Sequence, residues 1–181
     1  MKSAMSAPHP NPPPLTGEGT NDRCATLSLL LADEIATCAF AARLASTLKE
    51  GLVVHLHGDL GAGKTTLVRA MLQALGYKGR VKSPTYTLLE YYHAAGLHLR
   101  HFDLYRFHDE DEWEAAGFRD EFDGNNICLV EWPNKAQGLV PQADMEIRFE
   151  MVAGEQFSGG RKIEVRANTQ NGRECLKALQ D

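Results

Sequence analysis

A chain of 181 residues, 43% of them hydrophobic, has material for one α/β domain with a real core and too little for two. Its 24 acids against 19 Lys and Arg give a net charge of −5 and a pI ≈ 5.8, which excludes nucleic-acid binding through a broad basic surface and confines any RNA contact to a local patch or a partner. The four cysteines, Cys24, Cys38, Cys128 and Cys175, form no C-x-x-C pair and no apolar run approaches membrane-spanning length, so reduced thiols, no disulfide scaffold, no membrane contact and a cytoplasmic location are expected.

The start of the chain, residues 1–22, holds Pro8, Pro10, Pro12, Pro13 and Pro14 with Gly17 and Gly19, too little apolar surface to offset the entropy of ordering. It is expected to be disordered, with Met5 a second candidate start, and the folded domain is expected over 23–181. Residues 25–31 read as a strand. Asp33 then supplies an N-cap for a helix whose core-facing stripe is expected to be Ile35, Ala39, Phe40, Ala42, Leu44 and Leu48, stopped by Gly51. Residues 52–57 are short, apolar and β-branched, as in a buried strand. His55 and His57 share one face of it and read as packing against a neighbouring element.

The next nine residues, Gly58-Asp59-Leu60-Gly61-Ala62-Gly63-Lys64-Thr65-Thr66, match the phosphate-binding pattern G-x-x-x-x-G-K-[ST]. Its glycines allow the backbone approach that a Cβ would block, so that successive N–H groups can cradle a polyphosphate. Lys64 brings a positive charge to the phosphates, and the Thr65 hydroxyl suits one position on Mg²⁺. Leu67, Val68, Met71, Leu72 and Leu75 follow at helical spacing, which turns a helix N-terminus toward the anion.

Pro84 interrupts residues 81–92, leaving the hydroxyls of Ser83, Thr85 and Thr87 in a loop before a β segment. That loop reads either as a nucleotide-sensing switch or as an ordinary turn. Ala94-Ala95-Gly96 marks a turn into a strand over 97–105. Residues 127–132 form a second apolar strand ending in Glu131, where phosphate-loop enzymes keep an acid for the metal or the attacking water. Asp103 sits late in the preceding strand, either near that metal or paired with Arg106. Between the two strands, the acidic stretch 109–114 is expected to be helical, with Trp113, Ala116 and Phe118 toward the core; its outer face is either solvated or a docking surface. Residues 145–151 and 161–166 alternate as a hairpin that would extend the sheet as antiparallel edge strands, followed by a short helix. The expected fold is α/β of the P-loop NTPase type, a mixed and mostly parallel sheet with helices on both faces.

Neither N-K-x-D nor D-x-x-G follows the phosphate loop, which favours ATP over GTP. The phosphate loop, Ser83-Pro84-Thr85-Tyr86-Thr87-Leu88, His101-Phe102-Asp103-Leu104-Tyr105-Arg106 and Glu131-Trp132, in this order and at these intervals over residues 27–167, resemble the bacterial TsaE (YjeE) family. The resemblance implies a small cytoplasmic ATPase required for threonylcarbamoyladenosine synthesis at position 37 of tRNA, acting with the TsaD–TsaB heterodimer and reaching tRNA through that complex. It implies ATP and Mg²⁺ as cofactors, Thr65 and Glu131 at the metal, and Gly61, Ala62, Gly63, Lys64, Thr65 and Thr66 around the phosphates. It also places Glu34 beside the adenine and Arg161 at the nucleotide, with Lys64, Glu131 and Asp103 serving catalysis and Trp132 the nucleotide response. The rival readings are a nucleotide-dependent docking module without hydrolysis and a small-molecule kinase.

Overall fold

The computed structural model describes residues 25–152 and 160–181. The expectation of disorder over residues 1–22, Cys24 and most of the loop between the last two strands lie outside the described residues.

Among the described residues seven strands form one sheet: β1 (Ala25–Leu31), β2 (Val53–His57), β3 (Leu89–Ala94), β4 (Leu97–Asp103), β5 (Ile127–Glu131), β6 (Met145–Met151) and β7 (Arg161–Ala167), in the spatial order β1-β7-β6-β2-β5-β4-β3. The ladders joining β6, β2, β5 and β4 are parallel, and those joining β1 to β7, β7 to β6 and β4 to β3 are antiparallel. Five strands therefore share one direction, and β3 and β7 oppose them. The β6–β7 hairpin forms as expected, but it is not the edge: β1 pairs along all of β7 and closes that side. Strand β7 has only half of its backbone groups satisfied by β6, and β1 supplies the rest. At the other edge, Ala95 (φ 52°) and Gly96 (φ 80°) both take the left-handed region, the geometry of a two-residue hairpin turn between β3 and β4.

Among the described residues four helices cover the sheet: α1 (Glu34–Ala45), α2 (Lys64–Ala74), α3 (Glu110–Ala115) and α4 (Gln170–Gln180). One core lies between the sheet and the α1, α2 and α4 side, through Phe40, Leu44, Leu67, Met71 and Leu176 against Val54, Leu56 and Ile163. The opposite face carries a second core of Val53, Phe102, Trp113, Phe118 and Val130 under α3 and a 3-10 turn at Phe118–Glu121.

The cap of α1 forms as expected, Asp33 Oδ1 accepting from the Ala36 N–H at 2.8 Å. Its buried face differs. Phe40 and Leu44 are inside with Thr37, Ala41 and Ala45, whereas Ile35, Ala39 and Ala42 are exposed. Phe40 and Leu44, four residues apart, set the helix rotation, and Thr37 tolerates burial because its hydroxyl donates to the Asp33 carbonyl at 2.9 Å. Helix α3 likewise buries Trp113 but leaves Ala116 exposed, because its helical run ends at Ala115 and Ala116 serves as the C-cap.

Candidate functional site

The period-two alternation of strands decides which side chains meet. Leu99, His101 and Asp103 on β4 and Ile127, Leu129 and Glu131 on β5 point to the α2 side, and Asp103 and Glu131 are register partners at the C-terminal ends of adjacent parallel strands. The loop after β2 enters α2 at the same end of the sheet. A cavity of about 340 Å³ opens there, lined among others by Gly61, Gly63, Lys64, Thr65, Thr66 and Glu131. Open sheets of this kind bind ligands just outside their carboxyl ends.

The phosphate loop has the backbone that its glycines permit. Gly58, Gly61 and Gly63 have φ of 144°, 82° and 105°. A Cβ on Gly58 would stand 2.8 Å from the Phe149 carbonyl oxygen, and one on Gly63 would collide with the Arg161 guanidinium. Gly63 is the N-cap of α2 without any side-chain cap, and no acid occupies the first turn, so the helix's first N–H groups are left for an anion. Ala62 is buried beneath the loop, while Thr66 lies on the cavity wall. Lys64 Nζ donates to the Gly58 and Asp59 carbonyls at 2.7 and 2.9 Å and lies 4.0 Å from the centre of the Trp132 ring. Burial pulls the Lys64 ammonium below the usual lysine range, against the raising influence of Glu131, Asp103 and Asp59.

Thr65 and Glu131 are brought together: the threonine hydroxyl donates to Glu131 Oε1 at 2.8 Å. Both are oxygen donors, and the second carboxylate oxygen makes no hydrogen bond among the described residues, so the pair fits a hard cation such as Mg²⁺. His101 Nε2 lies 2.9 Å from the same Oε1, on a ring with no exposed surface. His101 stands in the His101–Arg106 motif with no expected role of its own. Its signal is the alternation itself, since a residue two before Asp103 on a strand must share that face.

Asp103 does not pair with Arg106, whose guanidinium lies 4.4 Å from the centre of the Tyr86 ring. The Asp103 carboxylate instead accepts from the hydroxyls of Ser83 and Thr85, the latter at 2.7 Å, and from the Tyr105 N–H at 3.1 Å. The hydroxyl loop is thereby tied to the strand end beside Glu131. Leu88 (φ 60°) turns the chain out of the loop into β3, its N–H bonded to the Pro84 carbonyl at 2.6 Å.

Arg161 is buried against Gly63, although it heads β7, two strands away from β2. Glu34 stands on the exposed first turn of α1, outside the cavity lining. The strand that precedes it, β1, has Leu31 as the register partner of Arg161. His55 and His57 face the opposite side of the sheet, over a cavity they share with Asn134, Gln137 and Glu146. Among the described residues no three His, Cys, Asp or Glu side chains are grouped to hold a metal.

A mixed sheet with a glycine loop joining a central parallel strand to a helix, and acids closing β5 and β4, the next two strands on one side of it, defines a P-loop NTPase-like protein. Residues 31–163 match the family described as "Threonylcarbamoyl adenosine biosynthesis protein TsaE", and the chain belongs to the TsaE family. It is 42% identical over 159 residues to the Haemophilus influenzae protein named "tRNA threonylcarbamoyladenosine biosynthesis protein TsaE", which covers 85% of this chain and 98% of that one. The Bacillus subtilis protein of the same name is 41% identical over 111 residues, 61% of this chain and 69% of that one. Among solved structures, the crystal structure of Bacillus subtilis YdiB aligns with a TM-score of 0.71 and 29% identity, over 87% of this chain and 95% of that chain. No helix among the described residues is long and apolar enough to cross a membrane.

Proposed function

We propose that this chain is the ATP-binding and ATP-hydrolysing component of tRNA N6-threonylcarbamoyladenosine synthesis at position 37, working in the cytoplasm with the TsaD–TsaB heterodimer. The observation that carries the reading is the convergence of Lys64, Thr65 and Glu131 on one cavity under an uncapped helix N-terminus. The names of the relatives support the pathway.

Mg²⁺, when bound, would offset charge gathering on the terminal phosphate during its transfer to water. Thr65 and Glu131 would hold it, with His101 orienting Glu131. Lys64 would exchange the carbonyls of Gly58 and Asp59 for phosphate oxygens, and the amides around Gly61, Ala62, Gly63 and Thr66 would cradle the remaining charge. Arg161, packed on Gly63, would back the loop from β7, and Glu34 would border the adenine from the start of α1. Asp103 holds Ser83 and Thr85 over the cavity, and that loop would form the nucleotide-dependent surface that docks on the partner.

Asp103 accepts from two hydroxyls and an amide, and one oxygen of Glu131 is engaged by Thr65 and His101 while the other would be taken by the metal. Neither is left as a strong general base, so turnover in isolation should be slow and partner-stimulated. The same observation favours the second reading, a docking module that binds nucleotide without hydrolysing it.

The deciding experiment measures phosphate release from ATP and Mg²⁺ with and without the heterodimer, with Glu131→Ala alongside. Stimulation that disappears in the variant is expected. Unchanged release in Glu131→Ala would remove Glu131 from the metal site, and no release with the partner present would leave the docking module.

A further inference from the structure

His93 and His98 are register partners across the β3–β4 hairpin, one pair back from the Ala95-Gly96 turn. In a two-residue hairpin the residues flanking the turn, here Ala94 and Leu97, exchange backbone hydrogen bonds, so the next pair is a non-hydrogen-bonded one, where facing side chains stand closest. The two imidazoles accordingly lie with ring centres 4.8 Å apart and planes 37° from parallel. Alternation puts them on the same sheet face as Tyr91 and Arg100. The 3-10 turn covers that face as far as Glu121, which accepts from the Tyr91 hydroxyl at 2.8 Å and from Arg100. Beyond it both histidines are exposed, and neither ring makes a hydrogen bond or ion pair among the described residues, so each is free to turn a nitrogen toward the other.

Metal–nitrogen bonds of about 2.0 to 2.1 Å, meeting at about 90 to 110°, hold two imidazoles on one ion with ring centres about 4.5 to 5.2 Å apart. The His93–His98 spacing falls inside that range, and the 6.2 Å between His55 and His57 falls outside it. The cation in the neighbouring register pair, Arg100, lies 4.7 Å from the centre of the Tyr91 ring and is paired with Glu121, so its charge is offset. Imidazole nitrogen suits zinc, nickel and copper, whereas Mg²⁺ and Ca²⁺ take oxygen. We propose that His93 and His98 form a chelate site for a late first-row divalent cation, Zn²⁺, Ni²⁺ or Cu²⁺, which staples the turn end of the β3–β4 hairpin. Among the described residues no third His, Cys, Asp or Glu completes the set, so water fills the remaining positions. The donors are of the opposite kind to the oxygens of Thr65 and Glu131, and the two places therefore sort ions by chemistry. Strand β3 is a sheet edge with β4 as its one neighbour, the type of element that opens first. At the far end of the same hairpin the Asp103 N–H donates to the Leu88 carbonyl at 3.0 Å, so a staple at the turn holds β3 against the strand that carries Asp103.

The test titrates the full chain with zinc chloride by calorimetry, in excess Mg²⁺ to keep oxygen-donor sites filled, and repeats it with nickel and copper chlorides. A single ion per chain is expected, with Cu²⁺ held most tightly. His93→Ala and His98→Ala each leave a lone imidazole, and each should weaken binding on the order of a hundredfold. His108→Ala, at an exposed histidine beside Tyr105 and Lys135, should leave the affinity unchanged. In EDTA both hairpin variants should melt with the wild type, which separates loss of the site from loss of the fold. Hydrogen exchange across residues 89–94 should slow on adding Zn²⁺ to wild type and stay as it was in either variant. Equal affinity of wild type and both variants would make the ion adventitious and overturn the site. A loss confined to one variant would overturn chelation by the pair. A single ion per two chains would overturn the single-chain site in favour of one shared between copies, and unchanged exchange with Zn²⁺ bound would overturn the staple.

Discussion

His101 Nε2 lies 2.9 Å from Glu131 Oε1 in the interior of the sheet, on the same oxygen that accepts from Thr65. A buried carboxylate is held in one orientation by such bonds, and removing a partner leaves the remaining charge exposed to the low dielectric. His101→Ala should cost about 2 to 4 kcal/mol of stability. It should also weaken the Mg²⁺-dependent part of nucleotide affinity while sparing the Mg²⁺-free part. His101→Gln, which keeps a donor, should restore much of the Mg²⁺ dependence. A His101→Ala protein whose Mg²⁺ response matches wild type would show that the histidine only fills space.

Asp103 acts on the loop by charge. In Asp103→Asn the hydroxyls of Ser83 and Thr85 lose an ionised acceptor, a difference of about 1 to 3 kcal/mol in holding the loop. Hydrogen exchange over residues 83–88 should accelerate and partner-stimulated phosphate release should fall, with the protein's melting temperature little changed. Unaltered exchange in that segment would mean that the loop is fixed by its backbone alone.

Gly63→Ala joins two penalties. The left-handed φ of 105° costs about 1 to 2 kcal/mol for a residue with a Cβ, and the new methyl meets the Arg161 guanidinium. Nucleotide binding should be lost. Calorimetric titration with ADP checks it, and wild-type affinity would mean that the loop and Arg161 move apart freely.

His55 gives the fold a pH dependence. Burial, reinforced by the neighbouring His57, lowers its pKa to about 4, against the opposing influence of Glu146 and the Pro141 carbonyl. The folded state therefore keeps the imidazole neutral where the unfolded chain, at its ordinary value near 6.5, takes up a proton. Stability is fully present above about pH 6.5 and is lost as pH falls toward 4, with about 1 to 2 kcal/mol gone by pH 5. Urea unfolding at pH 7.5 and pH 5 should show the loss, and His55→Phe should reduce it. A pH dependence equal in wild type and His55→Phe would assign the loss to other groups.

Much of this was legible in local pattern. The glycine loop, the Asp33 cap, the Ala95-Gly96 turn and the apolar strand closed by Glu131 each depend on residues within a few positions of one another, where backbone sterics and hydrogen bonding act alone. The rotation of α1 was not, because Ile35 is as apolar as Phe40 and their spacing alone does not say which of them meets the sheet.

By itself the sequence determined that a phosphate loop would stand between a buried strand and a helix, since that depends on glycine conformational freedom and hydrophobic periodicity. Tertiary structure alone decided the strand order that places β5 beside β2, the closing of β7 by β1, the reach of Arg161 to Gly63, the pairing of His101 with Glu131 and the capture of Ser83 and Thr85 by Asp103. Those contacts join residues from 18 to 142 positions apart, Thr85 with Asp103 at one extreme and Ala25 with Ala167 at the other, as loop-closure entropy permits at a cost that grows only slowly with separation. Local propensity is therefore silent about them, and burial of the two cores selects the one arrangement in which they form.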